Sequence, residues 1–130
     1  MIADLAQLLR SLRPALQPGT WAFVALPVGM APREIDCIAS FREAEGWSVI
    51  VTEAEAARAN LPVLFLAAWI TLEVHSDLYA VGLTAAVSSA LAAAGISCNM
   101  VAAARHDHLF VPINAAQAAL ERLLQLQRDS

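Results

Sequence analysis

The two halves of this 130-residue chain contain the same order of predicted elements, and this repeat restricts the fold more than any other feature. Each half has a strand, later a hairpin, and then a capped helix, so that residues 37–59 correspond to residues 98–127. The second half also has a long helix after its first strand, where the first half has only a loop over residues 28–36. The order strand–helix–strand–strand–helix predicts an α+β, ferredoxin-like fold, an antiparallel sheet with helices on one face. We therefore expect two units, residues 1–63 and 64–130, of which the first is incomplete.

Apolar spacing, turn residues and capping residues place the individual elements. Thr52 and Glu55 have the form of a capping box at the start of a short helix. We expect Ser76 or Asp77 to cap the long helix of the second half, and Asn114 to cap the last helix. The other predicted elements are helices over residues 2–12, 53–59 and 80–94 and strands over residues 21–26, 37–42, 47–51, 64–74 (with a break near 67–68 left open), 97–104 and 108–112.

The charged residues argue against a nucleic-acid partner and for a second copy of the chain as a partner. All eight basic residues are arginine, against twelve acidic residues, so the net charge is −4. A nucleic-acid-binding surface needs a basic stripe to neutralise phosphates, and the sequence contains none. Because only 15% of residues are charged, we expect a second copy of the chain to cover part of the apolar surface in a homodimer.

Neither a membrane span nor a signal peptide is predicted. The longest nearly apolar run, residues 61–72, is shorter than the about 20 residues that a membrane helix requires. Asp4 and Arg10 interrupt the N-terminal segment in which the apolar core of a signal peptide would lie. We therefore expect a cytoplasmic protein with no membrane contact, in which Cys37 and Cys98 are reduced and mostly buried.

Residues 75–103 resemble the start of an ACT domain, a small regulatory fold, and read HSDLYAVGLTAAVSSALAAAGISCNMVAA. Gly82-Leu83 match the loop glycine and its apolar follower in that family, and Gly95-Ile96 match the pair that opens the second strand. The resemblance extends over about residues 14–127. Three blocks are similar to small bacterial proteins with two ACT-like units and unassigned function: Phe41–Val51, Val74–Val87 and His106–Pro112.

The resemblance implies a regulatory module without catalytic activity or cofactor, which senses an amino acid or another small ligand. ACT modules commonly bind amino acids where the loop after the first strand meets a neighbouring unit. Unpaired backbone amides at the start of the following helix favour the same place, because they attract a ligand carboxylate. The candidate ligand-binding residues are His75, Ser76, Asp77, Val81, Gly82, Leu83, Asn99 and His108.

Gly82 is open to two interpretations. Without a Cβ it allows a ligand carboxylate to approach the backbone, or it allows the helix to pack closely on the sheet. We expect a Gly82→Val substitution to abolish ligand binding and leave the fold largely intact, provided that Gly82 does not have a left-handed conformation.

Three histidines are expected at the same end of the second unit's sheet: His75, His106 and His108. They are candidates for hydrogen bonding within the turn, for lining the ligand site or, with Asp107, for binding a metal ion. The alternative function is therefore a metal-dependent small-molecule enzyme that uses these three histidines. A third hypothesis is an interaction module whose oligomer is its whole function.

Overall fold

A computed structural model of the chain describes residues 4–130. It contains two compact units, which we name after their places in the chain. The central unit comprises residues 19–67, and the terminal unit comprises residues 4–18 together with 68–130. The division between residues 63 and 64 that the sequence predicts stays a prediction.

The helices and strands follow the predicted order, with one additional strand over residues 14–16. They are α1 (Leu5–Arg10), β1 (Pro14–Leu16), β2 (Trp21–Ala25), β3 (Ala39–Glu43), β4 (Gly46–Thr52), α2 (Glu53–Arg58), β5 (Phe65–Leu72), α3 (Leu83–Ala93), β6 (Asn99–Ala102), β7 (Asp107–Pro112) and α4 (Ala116–Arg128). Single 3₁₀ turns lie at Pro32–Glu34 and Ile113–Ala115. Within residues 4–130, no helix is long and apolar enough to cross a bilayer.

Antiparallel pairing confirms the predicted α+β, ferredoxin-like class. In the central unit β2 pairs with β4, β4 pairs with β3, and β2 also pairs with Phe65–Ala67 of β5. In the terminal unit β1 pairs with Ile70–Leu72 of β5, and β6 pairs with β7. The break considered near residues 67–68 is absent, because β5 is continuous and only its hydrogen-bonding partner changes there. β1 was not predicted; Pro14 begins this strand after α1.

The loop of the first half is confirmed, since residues 27–36 contain one 3₁₀ turn and no α-helix. The predicted helix over residues 2–12 is shorter in the structure, Leu5–Arg10, and residues 2 and 3 lie outside the described part of the chain. Asp4 caps α1 by accepting a hydrogen bond from the Gln7 N–H at 3.2 Å.

Two of the predicted caps are wrong. The long helix α3 begins at Leu83 with Gly82 as its N-cap, and Asp77 instead accepts a hydrogen bond from the Tyr79 N–H at 2.9 Å. Asn114 lies in the 3₁₀ turn before α4, and Ala115 is the N-cap there. Short polar side chains stabilise turns as well as caps, so their presence alone does not locate a helix start.

Each unit has its own apolar core, built from every second residue of its strands. In the central unit the core includes Ala22 and Val24 of β2 and Val49 and Val51 of β4. In the terminal unit the buried residues come from β5, β7, α1 and the segment after it, α3 and α4: Leu8, Leu12, Ala68, Ile70, Leu72, Leu83, Val87, Leu91, Leu109, Val111, Ala119 and Leu123. These apolar faces are what hold the helices on the sheets, because each buried leucine contributes roughly 1.5–3 kcal/mol.

Both cysteines are free thiols, but neither is fully buried. Cys37 and Cys98 are half-buried and pack at the margins of the two cores, Cys37 in the central unit and Cys98 in the terminal unit. The expectation that they are mostly buried is therefore too strong. Partial burial raises the pKa of the Cys98 thiol, because the thiolate is less well solvated there.

The Thr52 cap is confirmed, but only one half of the expected capping box forms. The Thr52 Oγ1 accepts a hydrogen bond from the Glu55 N–H at 3.0 Å. The Glu55 carboxylate accepts hydrogen bonds from Arg58, at 2.6 and 2.7 Å, and from the Asp36 N–H at 3.0 Å. Hydrogen bonding to Arg58 and to the Asp36 backbone therefore lowers the pKa of Glu55 from 4.5 to about 2.

This pKa shift predicts an acid-sensitive contribution to stability. The folded state favours ionised Glu55, so the contribution is complete above pH 4.5 and is lost as the pH falls toward about 2. In Arg58→Gln we expect the Glu55 pKa to rise toward 4.5, measured by NMR titration of the side-chain carboxyl, whereas Arg33→Gln should leave it unchanged. A wild-type Glu55 that titrates near 4.5 would contradict this account.

Candidate functional site

A pocket of about 160 Å³ lies in the terminal unit, between the loop that follows β5, the start of α3 and the β6–β7 hairpin. The loop contributes Ser76 and Asp77, and the helix start contributes residues 82–84. Ala102 and Asp107, which are paired across the hairpin, form the opposite wall.

The start of α3 gives one wall of the pocket a positive electrostatic character. Gly82 is the N-cap, with φ of +106°, and no side chain caps this end of the helix. The N–H groups of Leu83 and Thr84 belong to the first turn, which has no intrahelical acceptors for its amides. Together with the positive end of the helix dipole, these amides can hold a carboxylate.

Asp107 supplies the opposite charge. It is only 7% exposed, and its Oδ2 accepts a hydrogen bond from the Ser76 Oγ at 3.1 Å. It begins β7, on the face that Leu109 and Val111 bury in the core, because strand side chains alternate. The sequence predicts a turn over residues 105–107 before this strand, and Asp107 is not among the predicted ligand-binding residues.

The structure brings together half of the predicted site residues. Ser76, Asp77, Gly82 and Leu83 line the pocket. The other four do not line it, for different reasons. The side chain of Val81 is 84% exposed, and Asn99 lies at the far end of β6 from Ala102.

His75 is exposed, and its ring makes an edge-to-face contact with that of His106, with 5.4 Å between the ring centroids. His108 is directed elsewhere, as its hydrogen bonds show. Its Nδ1 accepts a hydrogen bond from the Trp69 Nε1–H at 3.1 Å and lies 3.2 Å from the Thr71 Oγ1. The expected cluster of three histidines is therefore not formed, and within residues 4–130 no group of three or more His, Cys, Asp or Glu side chains is placed to hold a metal ion.

His108 is part of a polar network on β5 and β7. Gln17 donates a hydrogen bond to the Thr71 Oγ1 at 3.0 Å, and Thr71 in turn contacts His108. Trp69 uses Nδ1 of His108 as an acceptor, which requires that nitrogen to be unprotonated. Partial burial, and secondarily the charge of His106, lower the pKa of His108 from 6.5.

The network predicts loss of stability in mild acid. Because the folded-state pKa of His108 is lowered, its stabilising contribution is complete above pH 6.5 and decreases as the pH falls below that value. Thermal unfolding should show a steeper loss of Tm below pH 6.5 in the wild type than in His108→Gln. His75→Gln, at an exposed position, should keep the wild-type slope. Equal slopes in the wild type and His108→Gln would disprove the role of the network.

Gly82 is left-handed, so the condition under which Gly82→Val is expected to leave the fold largely intact is not met. An added Cβ would lie 2.9 Å from Leu5 Cδ2, and the φ of +106° is itself unfavourable for a side chain. The residue therefore satisfies a packing and backbone requirement, whatever else it does.

We predict that Gly82→Val lowers the free energy of unfolding more than Gly29→Val, by about 1–3 kcal/mol. Gly29 is the matched control, because its φ is +88° and an added Cβ would meet nothing within 4 Å. Both substitutions strain a backbone with positive φ, so the difference between their free energies of unfolding reports the contact with Leu5 alone. Chemical denaturation measures both values, and equal losses would show that Leu5 moves aside without cost.

Comparison with known proteins identifies relatives of both halves. Residues 2–68 and residues 64–125 each match a family model described as an ACT domain. No curated protein matches the chain. A Vibrio cholerae protein of unknown function, described as a possible transport protein, is 40% identical, with 95% of each chain covered and a TM-score of 0.85.

Two more distant structures share the fold. A protein from Agrobacterium tumefaciens is 17% identical, with 89% of each chain covered and a TM-score of 0.70. The ligand-free regulatory subunit of aspartate kinase from Thermus thermophilus is 14% identical, with 87% of this chain and 95% of that chain covered and a TM-score of 0.65.

Proposed function

Because this chain belongs to the ACT-domain family, whose members are typically regulatory ligand-binding modules, we propose that it binds an amino acid in the pocket of the terminal unit. In this proposal the chain has no catalytic activity of its own, works in the cytoplasm and regulates a partner protein. The supporting observation is that the pocket has the amides of a helix start on one wall and a buried carboxylate on the other.

The two walls complement the two charged groups of an amino acid. The α-carboxylate would accept hydrogen bonds from the amides of Leu83 and Thr84. The α-ammonium group would donate to Asp107, and Asp77 also lines the pocket. A simple anion would be repelled by the carboxylates, and a simple cation by the helix start. A zwitterion satisfies both walls.

The size of the pocket also favours a small molecule. Its volume of about 160 Å³ gives room for several water-sized groups. A small amino acid fits this volume. Buried charges need partners, so a ligand ammonium would offset the cost of burying Asp107.

We also propose that the protein is a homodimer. Three apolar side chains of the pocket loop are largely exposed: Leu78, 66%; Tyr79, 93%; and Val81, 84%. Exposed apolar groups that lie close together commonly mark an interaction surface. A second copy that covers this loop would also enclose the ligand.

Calorimetric titration with each of the twenty amino acids tests the binding proposal. We expect at least one to bind, and Asp107→Asn to weaken it about tenfold or more, because a hydrogen bond to a charged group contributes roughly 1.5–3 kcal/mol. Asparagine keeps a side-chain oxygen that can accept the hydrogen bond from the Ser76 hydroxyl, so the contact between the loop and β7 is preserved. Asp36→Asn, at an exposed position of the central unit, is the matched control.

Two outcomes would contradict the proposal. One is an affinity that is unchanged in folded Asp107→Asn. The other is the absence of binding by all twenty amino acids, which would favour an interaction module. The alternative of a metal-dependent enzyme requires His75, His106 and His108 to converge, and no observation on residues 4–130 favours it.

A further inference from the structure

A second pocket, which we call the hairpin pocket, lies in the central unit. It has a volume of about 260 Å³ and is lined by residues 27–30 and 42–47. These are the loop after β2 and the end of the β3–β4 hairpin. The pocket therefore occupies, in the central unit, the place that corresponds to the first pocket in the terminal unit.

The two hairpins have identical registers, which makes the correspondence residue by residue. Ala39 pairs with Ile50, and 60 positions later Asn99 pairs with Phe110. At the other end Arg42 pairs with Trp47 where Ala102 pairs with Asp107. The positions of Ala102 and Asp107 in the first pocket are thus held by arginine and tryptophan in the hairpin pocket.

The missing helix explains why this space is open. Pro27, Gly29 and Pro32 occupy the loop where the terminal unit has α3, and proline and glycine oppose helix formation there. The 3₁₀ turn Pro32–Glu34 is the only helical element of residues 27–36. The loop consequently leaves a gap beside the hairpin that no helix fills.

Arg42 and Trp47 face the same side of the hairpin, because residues paired across a ladder share a face. Trp47 is half-buried and packs against the core of the central unit, as does Met30 from the loop. Arg42 is exposed, and within residues 4–130 its guanidinium has no hydrogen bond or ion pair. Glu43 and Glu45 also line the pocket and are exposed. Glu43 follows Arg42 in β3, so it faces the other side of the strand, where it accepts a hydrogen bond from the Ser48 hydroxyl.

We propose that the hairpin pocket binds a small carboxylate with an apolar body. The Arg42 guanidinium would hold the carboxylate through two parallel N–H···O bonds, a geometry that suits arginine. The apolar body would pack on the Trp47 ring and on Met30. The first pocket has a buried carboxylate that requires a ligand ammonium group, whereas the carboxylates of the hairpin pocket, Glu43 and Glu45, are exposed to solvent. The chain would therefore respond to two ligand classes. The proposal does not depend on amino-acid binding in the terminal unit.

Phenylacetate is a suitable probe, and its neutral isostere phenylacetamide is the ligand control. In ¹⁵N-resolved NMR titrations at millimolar concentration, we expect saturable shifts of the Gly29 and Gly46 amides, with Gly82 and Gly95 unaffected. Phenylacetamide should bind at least about tenfold more weakly, because it lacks the charge that pairs with Arg42.

The matched variants are Arg42→Gln and Arg33→Gln. Both remove one exposed arginine from the central unit, but only Arg42 lines the pocket. We expect Arg42→Gln to weaken phenylacetate binding about tenfold or more and Arg33→Gln to leave it unchanged. The spectra themselves report whether each variant is folded.

The proposal would be overturned by any of three results. They are the absence of shifts at Gly29 and Gly46, equal affinity for phenylacetate and phenylacetamide, and an unchanged affinity in folded Arg42→Gln. Failure here leaves the amino-acid proposal intact, because that proposal is tested at Asp107 in the other unit.

Discussion

The alternation of side chains along β7 is the constraint on which the candidate site depends. Leu109 and Val111 must face the core of the terminal unit, and the same alternation turns Asp107 inward at the start of the strand. A carboxylate in this position loses water, and the Ser76 hydroxyl restores only one hydrogen bond. The unpaired amides at the start of α3 lie on the facing wall of the pocket and carry the positive end of the helix dipole. One strand register therefore produces both the core and the polarity of the pocket.

The two units show how the same hairpin register supports different chemistry. Ala102 and Asp107 in one hairpin correspond to Arg42 and Trp47 in the other, while the core positions that follow remain apolar in both. The hydrophobic requirement applies to the middle of the strands, where helices or loops cover them. The end of each hairpin that borders a pocket is free of that requirement, so the charge and size of the side chains there can differ between the two units.

Much of this fold is predictable from apolar periodicity. The core-facing residues of β4 and β7 alternate, Val49 with Val51 and Leu109 with Val111, and the short helix after Thr52 begins with a cap that local geometry alone can satisfy. The start of α3 is less predictable, because Asp77 and Gly82 both suit it locally. The backbone decides between them: Gly82 has a φ of +106°, which disfavours a side chain, and the end of the Leu5 side chain lies where a Cβ would be.

Only half of the predicted site residues line the pocket, because contacts within one loop are easier to predict from sequence than contacts between distant segments. Ser76, Asp77, Gly82 and Leu83 follow one another along one loop, so local sequence brings them together. Strand topology puts His108 at the same end of the sheet as His75, but Trp69 and Thr71 hold its side chain through contacts distant in sequence. Asp107 could have been found by extending the alternation of Leu109 and Val111 one step back. That signal was present in the sequence, and assigning the residue to the turn concealed it.

The most direct test is a crystal structure of the protein with the amino acid that binds most tightly. The account predicts the ligand carboxylate on the amides of Leu83 and Thr84 and its ammonium group on Asp107, within the terminal unit. A ligand bound away from this pocket, or bound in it with the carboxylate beside Asp107, would contradict the account.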